Sequence, residues 1–149
     1  MEEKSKGLRK GIRGTGSEKV TEERTALGIG SGTLRVYGTP AASALAENTA
    51  YRSVSDFLEE GQCTVGSSMS IKHLAPTYLG GEVVCETELT EVDGRRLVFS
   101  FSLRDSSGLI AEGVHERYVT DCARFTDKAK SRLQKAESGN DHGKHQASR

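Results

Sequence analysis

Residues 39–60 read TPAASALAENTAYRSVSDFLEE. Thr39 is a helix-starting residue, because its hydroxyl can accept a bond from a free backbone N–H of the first turn. Pro40 suits the first helical position, where a missing N–H costs nothing. No Gly or Pro follows until Gly61, which supplies a stop. The stretch therefore predicts the longest helix of the chain. Ala41, Ala42, Ala44, Ala46 and Ala50 give its first half small side chains that can lie close against a sheet. One carboxylate, Glu47, stands among them, a little over two turns beyond Thr39, so the two project from similar sides.

Downstream of that helix the pattern changes to a period of two. Gln62–Leu74 alternates strictly: Cys63, Val65, Ser67, Met69, Ile71 and His73 share one face, and Thr64, Gly66, Ser68, Ser70 and Lys72 the other. The first face is the more apolar and is expected to cover the helix. Strands follow over 82–91, 95–104 and 109–121. Val83, Cys85, Thr87 and Leu89, and then Leu97, Phe99, Phe101 and Leu103, form their stripes, and His115 and Arg117 oppose Glu116. VDG at 92–94 and DSSG at 105–108 are hairpin turns.

Upstream, Val20–Ala26 alternates loosely and predicts a first strand. Residues 28–32 (GIGSG) lack the Walker Lys-Ser/Thr and do not open into a helix, so they read as a linker at a pocket entrance. Residues 1–18 read as a mostly flexible arm whose second half Leu8 and Ile12 could fix to the body. A short polar helix is expected over 125–136, and residues 137–149 read as a disordered tail. The domain proper is then 19–136.

Strand, long helix, then four strands joined largely by tight turns specify an α+β chain. Hairpin-linked strands form an antiparallel sheet, and one helix must cover one of its faces. A five-stranded antiparallel sheet wrapped around one long helix, with a short C-terminal helix, is the hot-dog fold.

Bulk properties exclude other classes. The chain has 149 residues and a formal net charge of zero, which gives no pull toward nucleic acid or membrane. Aromatic residues are sparse and Trp is absent, so no stacking platform for bases is expected. No apolar run is long enough to span a membrane and no signal-peptide pattern opens the chain. Cys63, Cys85 and Cys122 are odd in number and widely spaced, which fits a reducing cytoplasm rather than a disulfide framework or metal site. His142 and His145 lie in the polar tail without further ligands.

Thr39-Pro40, Glu47, TVGSSMSIKHLAPT at 64–77, EVDGRR at 91–96 and GVHERYV at 113–119 together resemble the fluoroacetyl-CoA thioesterase group of the hot-dog superfamily. The resemblance runs from about Gly11 to Lys130. It implies hydrolysis of a small acyl-CoA with Thr39, Glu47 and His73 as catalytic residues. Gly66 and Arg117 are then substrate-binding, and no metal or cofactor is needed beyond the CoA of the substrate. It also implies a homodimer with the site at or beside the interface, for which the strand over 62–74 is the best pairing edge. Which chain's His73 meets a given Glu47 stays open. One departure stands out: the segment before the helix, Ile29-Gly30-Ser31-Gly32-Thr33-Leu34, has no aromatic residue, whereas the halogen-selective member closes its pocket with aromatics there.

Other readings compete. Without the resemblance, Glu47 is an ordinary exposed helix acid, Thr39 a cap and His73 a satisfied core histidine. A non-catalytic acyl-CoA-binding module would keep the fold without turnover. A hot-dog hydratase would carry Asp-x4-His, and no Asp here has a His five residues later.

Overall fold

The computed structural model describes residues 7–139. Its strands are β1 (Arg13–Lys19), β2 (Gln62–His73), β3 (Glu82–Asp93), β4 (Arg96–Asp105) and β5 (Gly108–Asp121). They form one antiparallel sheet in the order β1-β3-β4-β5-β2. The helices are α1 (Ala26–Ile29), α2 (Thr39–Val54) and α3 (Cys122–Ser138). The hot-dog architecture expected from the pattern is present, with α2 lying across the sheet. Among the described residues no helix is long and apolar enough to cross a membrane.

The apolar stripes face α2 as expected. Val83, Cys85, Leu89, Leu97, Phe99 and Leu103 are wholly buried, and Thr87 and Phe101 nearly so. On α2, Ala42, Ala46, Ala50 and Val54 recur every fourth residue and have no exposed surface. Burying a large apolar side chain stabilises by roughly 1.5–3 kcal/mol. The alanines contribute less area but let the helix sit close.

The first strand is not where the alternation pointed. It is Arg13–Lys19, paired with β3, and residues 20–26 instead form a buried Val20, a 3-10 turn over Glu22–Arg24 and the start of α1. Residues 13–18, read as part of a flexible arm, are therefore ordered strand. The reason lies in Gly14 and Gly16, which face α2. A Cβ on Gly14 would come 2.7 Å from Ser53 Cβ, and one on Gly16 would come 2.7 Å from Thr49 Oγ1. The helix packs on bare backbone, so this strand carries no apolar signature. Leu8 and Ile12 do pack on the core near Phe99. Residues 1–6 and 140–149, with His142 and His145, lie outside the described residues.

Two helix boundaries also differ. α2 ends at Val54, and a 3-10 turn over Ser55–Phe57 leads to extended Leu58, whose side chain packs on the core. Burial of Leu58 thus outweighs helix continuation to Glu60. α3 spans 17 residues rather than 125–136, capped by the Asp121 carboxylate, which accepts from Arg124 N at 3.0 Å. Residues 137 and 138, expected in the tail, complete it.

In β2 the strict alternation is broken by a bulge. Gly66 pairs with Arg117 and Ser68 with Glu116, leaving Ser67 as the extra residue. Cα partners share a face, so Thr64, Gly66, Met69, Ile71 and His73 face α2, while Cys63 and Val65 face away. The expected inner face is correct beyond the bulge and inverted before it.

Candidate active site

Thr39 does not cap α2. Gly38 is the N-cap, with φ −81° and ψ 144°, and Thr39 is the first helical residue. A Cβ at Gly38 would come 2.9 Å from Ile29 Cδ1 and 3.3 Å from the Ala26 backbone, so a side chain there would displace these neighbours. Freed from capping, the Thr39 hydroxyl bonds His73 Nδ1 at 2.8 Å. His73 ends β2 and is half-buried. Its Nε2 is buried and has no hydrogen-bond partner among the described residues. Burial lowers the His73 pKa below its ordinary value, so the ring is neutral at pH 7. A neutral ring can either accept the Thr39 proton or donate to Thr39, and either tautomer leaves Nε2 unpaired. The pair borders a cleft of about 700 Å³ whose walls include Val36, Pro40, Leu74, Ala75 and Pro76. Tyr37 closes its back. The Tyr37 ring is 1 % exposed, and its hydroxyl donates to Glu18 Oε2 at 2.6 Å.

Gly66, His115 and Arg117 form a second cluster. Arg117 is 7 % exposed, 5.8 Å from the centre of the Tyr51 ring. Its Nε donates to Thr64 Oγ1 at 2.7 Å, Nη2 to Thr64 O at 2.9 Å and Nη1 to His115 Nε2 at 3.0 Å. A guanidinium only donates, so His115 Nε2 must be the acceptor. His115 Nδ1 then carries the proton and donates to Ser68 O at 2.8 Å. His115 is 1 % exposed, and burial lowers its pKa, consistent with this neutral form. Two β5 side chains thus hold the carbonyls on either side of the bulge. Gly66 lies directly over them: a Cβ would be 3.4 Å from both Arg117 Nη1 and His115 Cε1. Glu47 is exposed on α2. Its charge favours the protonated forms of both Arg117 and His115, opposing the effect of their burial.

The structure therefore joins Thr39 to His73 and sets Glu47 on the side of Gly66, His115 and Arg117. It does not bond Glu47 to Thr39 or His73. Eight helical residues separate Thr39 from Glu47, a rise of about 12 Å. Sequence reasoning gave His115 no role in the site and passed over Thr64, Tyr51 and Ser68. The His-x-Arg spacing was visible, but its partners are set by a bulge that no alternation shows.

Half-buried His73 and fully buried His115 imply acid sensitivity. Their folded pKa values lie below the unfolded value of about 6.5, so as pH falls below that value the unfolded state binds more protons. Stability is then present above about pH 6.5 and is lost below it. Urea titrations from pH 7.5 to 5.5 are expected to show a declining free energy of unfolding. A His73→Gln chain should show a shallower decline, and a flat profile in the unmutated chain would contradict the burial argument.

Comparison with known proteins identifies the family of this fold. The family described as fluoroacetyl-CoA-specific thioesterase matches residues 20–123. The fluoroacetyl-CoA thioesterase of Streptantibioticus cattleyicolor is 32 % identical over 97 residues, covering 65 % of this chain and 70 % of that protein. A crystal structure of a point mutant of the fluoroacetyl-CoA-specific thioesterase FlK superimposes with a TM-score of 0.79 at 29 % identity, over 85 % of this chain and 98 % of the other. A thioesterase superfamily member from Thermus thermophilus shares the fold, with a TM-score of 0.80 at 24 % identity over 88 % and 97 % of the two chains. With the matched family residues covering most of the chain and containing both clusters, this protein belongs to the fluoroacetyl-CoA-specific thioesterase family of hot-dog thioester hydrolases.

Proposed function

We propose that this acyl-CoA thioesterase cleaves small acyl thioesters with Glu47, Thr39 and His73, without selectivity for fluoroacetyl-CoA. The observation that carries the reading is the Thr39–His73 hydrogen bond, with an unpartnered Nε2, at the edge of a mostly apolar cleft. Glu47 acts as base toward water, or itself attacks the thioester carbon. On the water route, the attacking oxygen gives its proton to the Glu47 carboxylate and bonds the carbonyl carbon. The Gly66 backbone N–H supports the resulting oxyanion. The C–S bond then breaks, and the CoA sulfur takes a proton, completing free acid and CoA. Thr39 and His73 hold the carbonyl end and pass a proton between hydroxyl and imidazole. Arg117 has two of its five N–H donors without a partner among the described residues, available to a bound acyl group. The reaction needs water and the CoA thioester alone, so no metal or cofactor enters. The free thiols of Cys63, Cys85 and Cys122 suit a cytoplasmic enzyme.

The substrate reading rests on the segment before α2. Ser31 and Ala26 line the cleft, and Ile29 and Leu34 are exposed aliphatic residues of the same segment. Tyr37 is the aromatic lining residue, and its hydroxyl is already tied to Glu18. With no aromatic gate between Ile29 and Leu34, fluoroacetyl-CoA is expected to hold little advantage over acetyl-CoA or other short acyl-CoAs. A thiol-reagent assay across an acyl-CoA panel tests both points. Release of free CoA is expected, and saturable binding without release would make the protein an acyl-CoA-binding module. A fluoroacetyl preference beyond roughly 10³-fold in kcat/KM, about 4 kcal/mol, would show that another element forms the gate.

The enzyme works as a homodimer on this reading. β2 is an edge strand, and its exposed Gly66, Ser68, Ser70 and Lys72 leave room for a second copy across a two-fold axis. The separation of the two clusters along α2 favours a site that combines Glu47 of one chain with Thr39 and His73 of the other.

A further inference from the structure

Cys63 and Cys122 are far apart in sequence and adjacent in space. Cys63 pairs with Thr120 and Gln62 with Asp121, and Cys122 N donates to Gly61 O at 2.9 Å. Cys122 is thus two residues beyond the partner of Cys63, a diagonal neighbour on the same face. The two free thiols are thus close neighbours, and both are partly open to solvent. The third thiol, Cys85, is wholly buried beneath α2 and apart from them. Cys122 is also the single residue of α3 that is not exposed. The hold of this helix on the body therefore lies at the cysteine contact and the backbone bond beside it.

We propose that Cys63 and Cys122 form a peroxide-oxidisable dithiol whose disulfide locks the start of α3 to the start of β2. Cys122 is the first residue of α3, beside the unpaired N–H groups of the helix start. Cys63 holds its proton: the contact with Cys122, then burial, push its pKa up to about 11. Cys122 sulfur attacks one oxygen of hydrogen peroxide, the O–O bond breaks, and the departing hydroxide takes a proton to leave as water. The sulfenic acid formed on Cys122 is attacked by Cys63 sulfur, the S–O bond breaks and a second water leaves. Two thiols lose two electrons and two protons, and the peroxide becomes two waters. The new bond lies one residue from Thr64, which anchors Arg117, so oxidation is sensed next to that cluster.

The test uses the full reduced chain, hydrogen peroxide, alkylation and peptide mapping. The expected product is an intramolecular Cys63–Cys122 crosslink with the mass of two hydrogens lost, reversed by dithiothreitol, and Cys85 alkylated after unfolding. The unfolding midpoint of the oxidised chain should rise by roughly 5 °C. In Cys63→Ser the crosslink is absent and dimedone traps a sulfenic acid at Cys122. If the serine variants do not fold, the crosslink map of the unmutated chain decides alone. Recovery of Cys63 and Cys122 in alkylated form after peroxide, or crosslinks that join only separate chains, overturns the proposal. The readout does not involve thioester cleavage, so it stands apart from the catalytic reading.

Discussion

Glu47→Gln is expected to lower kcat for CoA release by about 10²–10⁴ while the protein stays folded. Glutamine keeps the length and hydrogen-bonding shape of the side chain and removes the carboxylate proposed to take a proton from water or attack the carbonyl. Folding should be spared because Glu47 is exposed and makes no side-chain hydrogen bond among the described residues. A surface change of this kind costs within about 0.5 kcal/mol. Initial rates with a thiol reagent, beside a thermal melt of the same sample, separate chemistry from stability. Near-normal turnover by the folded variant would remove Glu47 from the mechanism.

The second large effect is recovery of activity from two inactive chains. Glu47→Ala and His73→Ala homodimers are each expected to be nearly inactive. After co-refolding at equal amounts, half of the dimers are mixed. If Glu47 works with the His73 of the other chain, each mixed dimer keeps one intact site of two, and about a quarter of unmutated activity returns. The proposed split arrangement is supported by the geometry of α2. A rise of about 12 Å between Thr39 and Glu47 exceeds what one acyl carbonyl bridges, and His73 is fixed at the Thr39 end. A two-fold axis beside β2 can set the Glu47 end of one α2 against the Thr39 end of its partner. No recovery would place both residues of a site in one chain, and an active monomer that persists on dilution would exclude the dimer.

The fold was largely legible because β3, β4 and β5 show their burial in residue type. Leu97, Phe99, Phe101 and Leu103 could have only one inner face, and all four are buried. β1 was not legible, because its inward positions are Gly14 and Gly16, where closeness to α2 replaces hydrophobicity. The residue types of the candidate site were visible in Thr39, Glu47, Gly66, His73 and Arg117, but their grouping was not. The Thr39–His73 contact depends on Gly38 taking the cap. The Thr64–Arg117–His115–Ser68 chain of bonds depends on where β2 bulges.

That bulge settles a question of parity. In an uninterrupted strand, residues of odd and even number can never look the same way. Thr64 and Gly66 are even, His73 is odd, and all three face α2. Ser67 changes the phase of the strand once, between its two tasks. The half before it holds Arg117 from beneath, and the half after it carries His73 to Thr39. A chain lacking Ser67 would have the same side chains on β2 and could serve one cluster or the other, but not both.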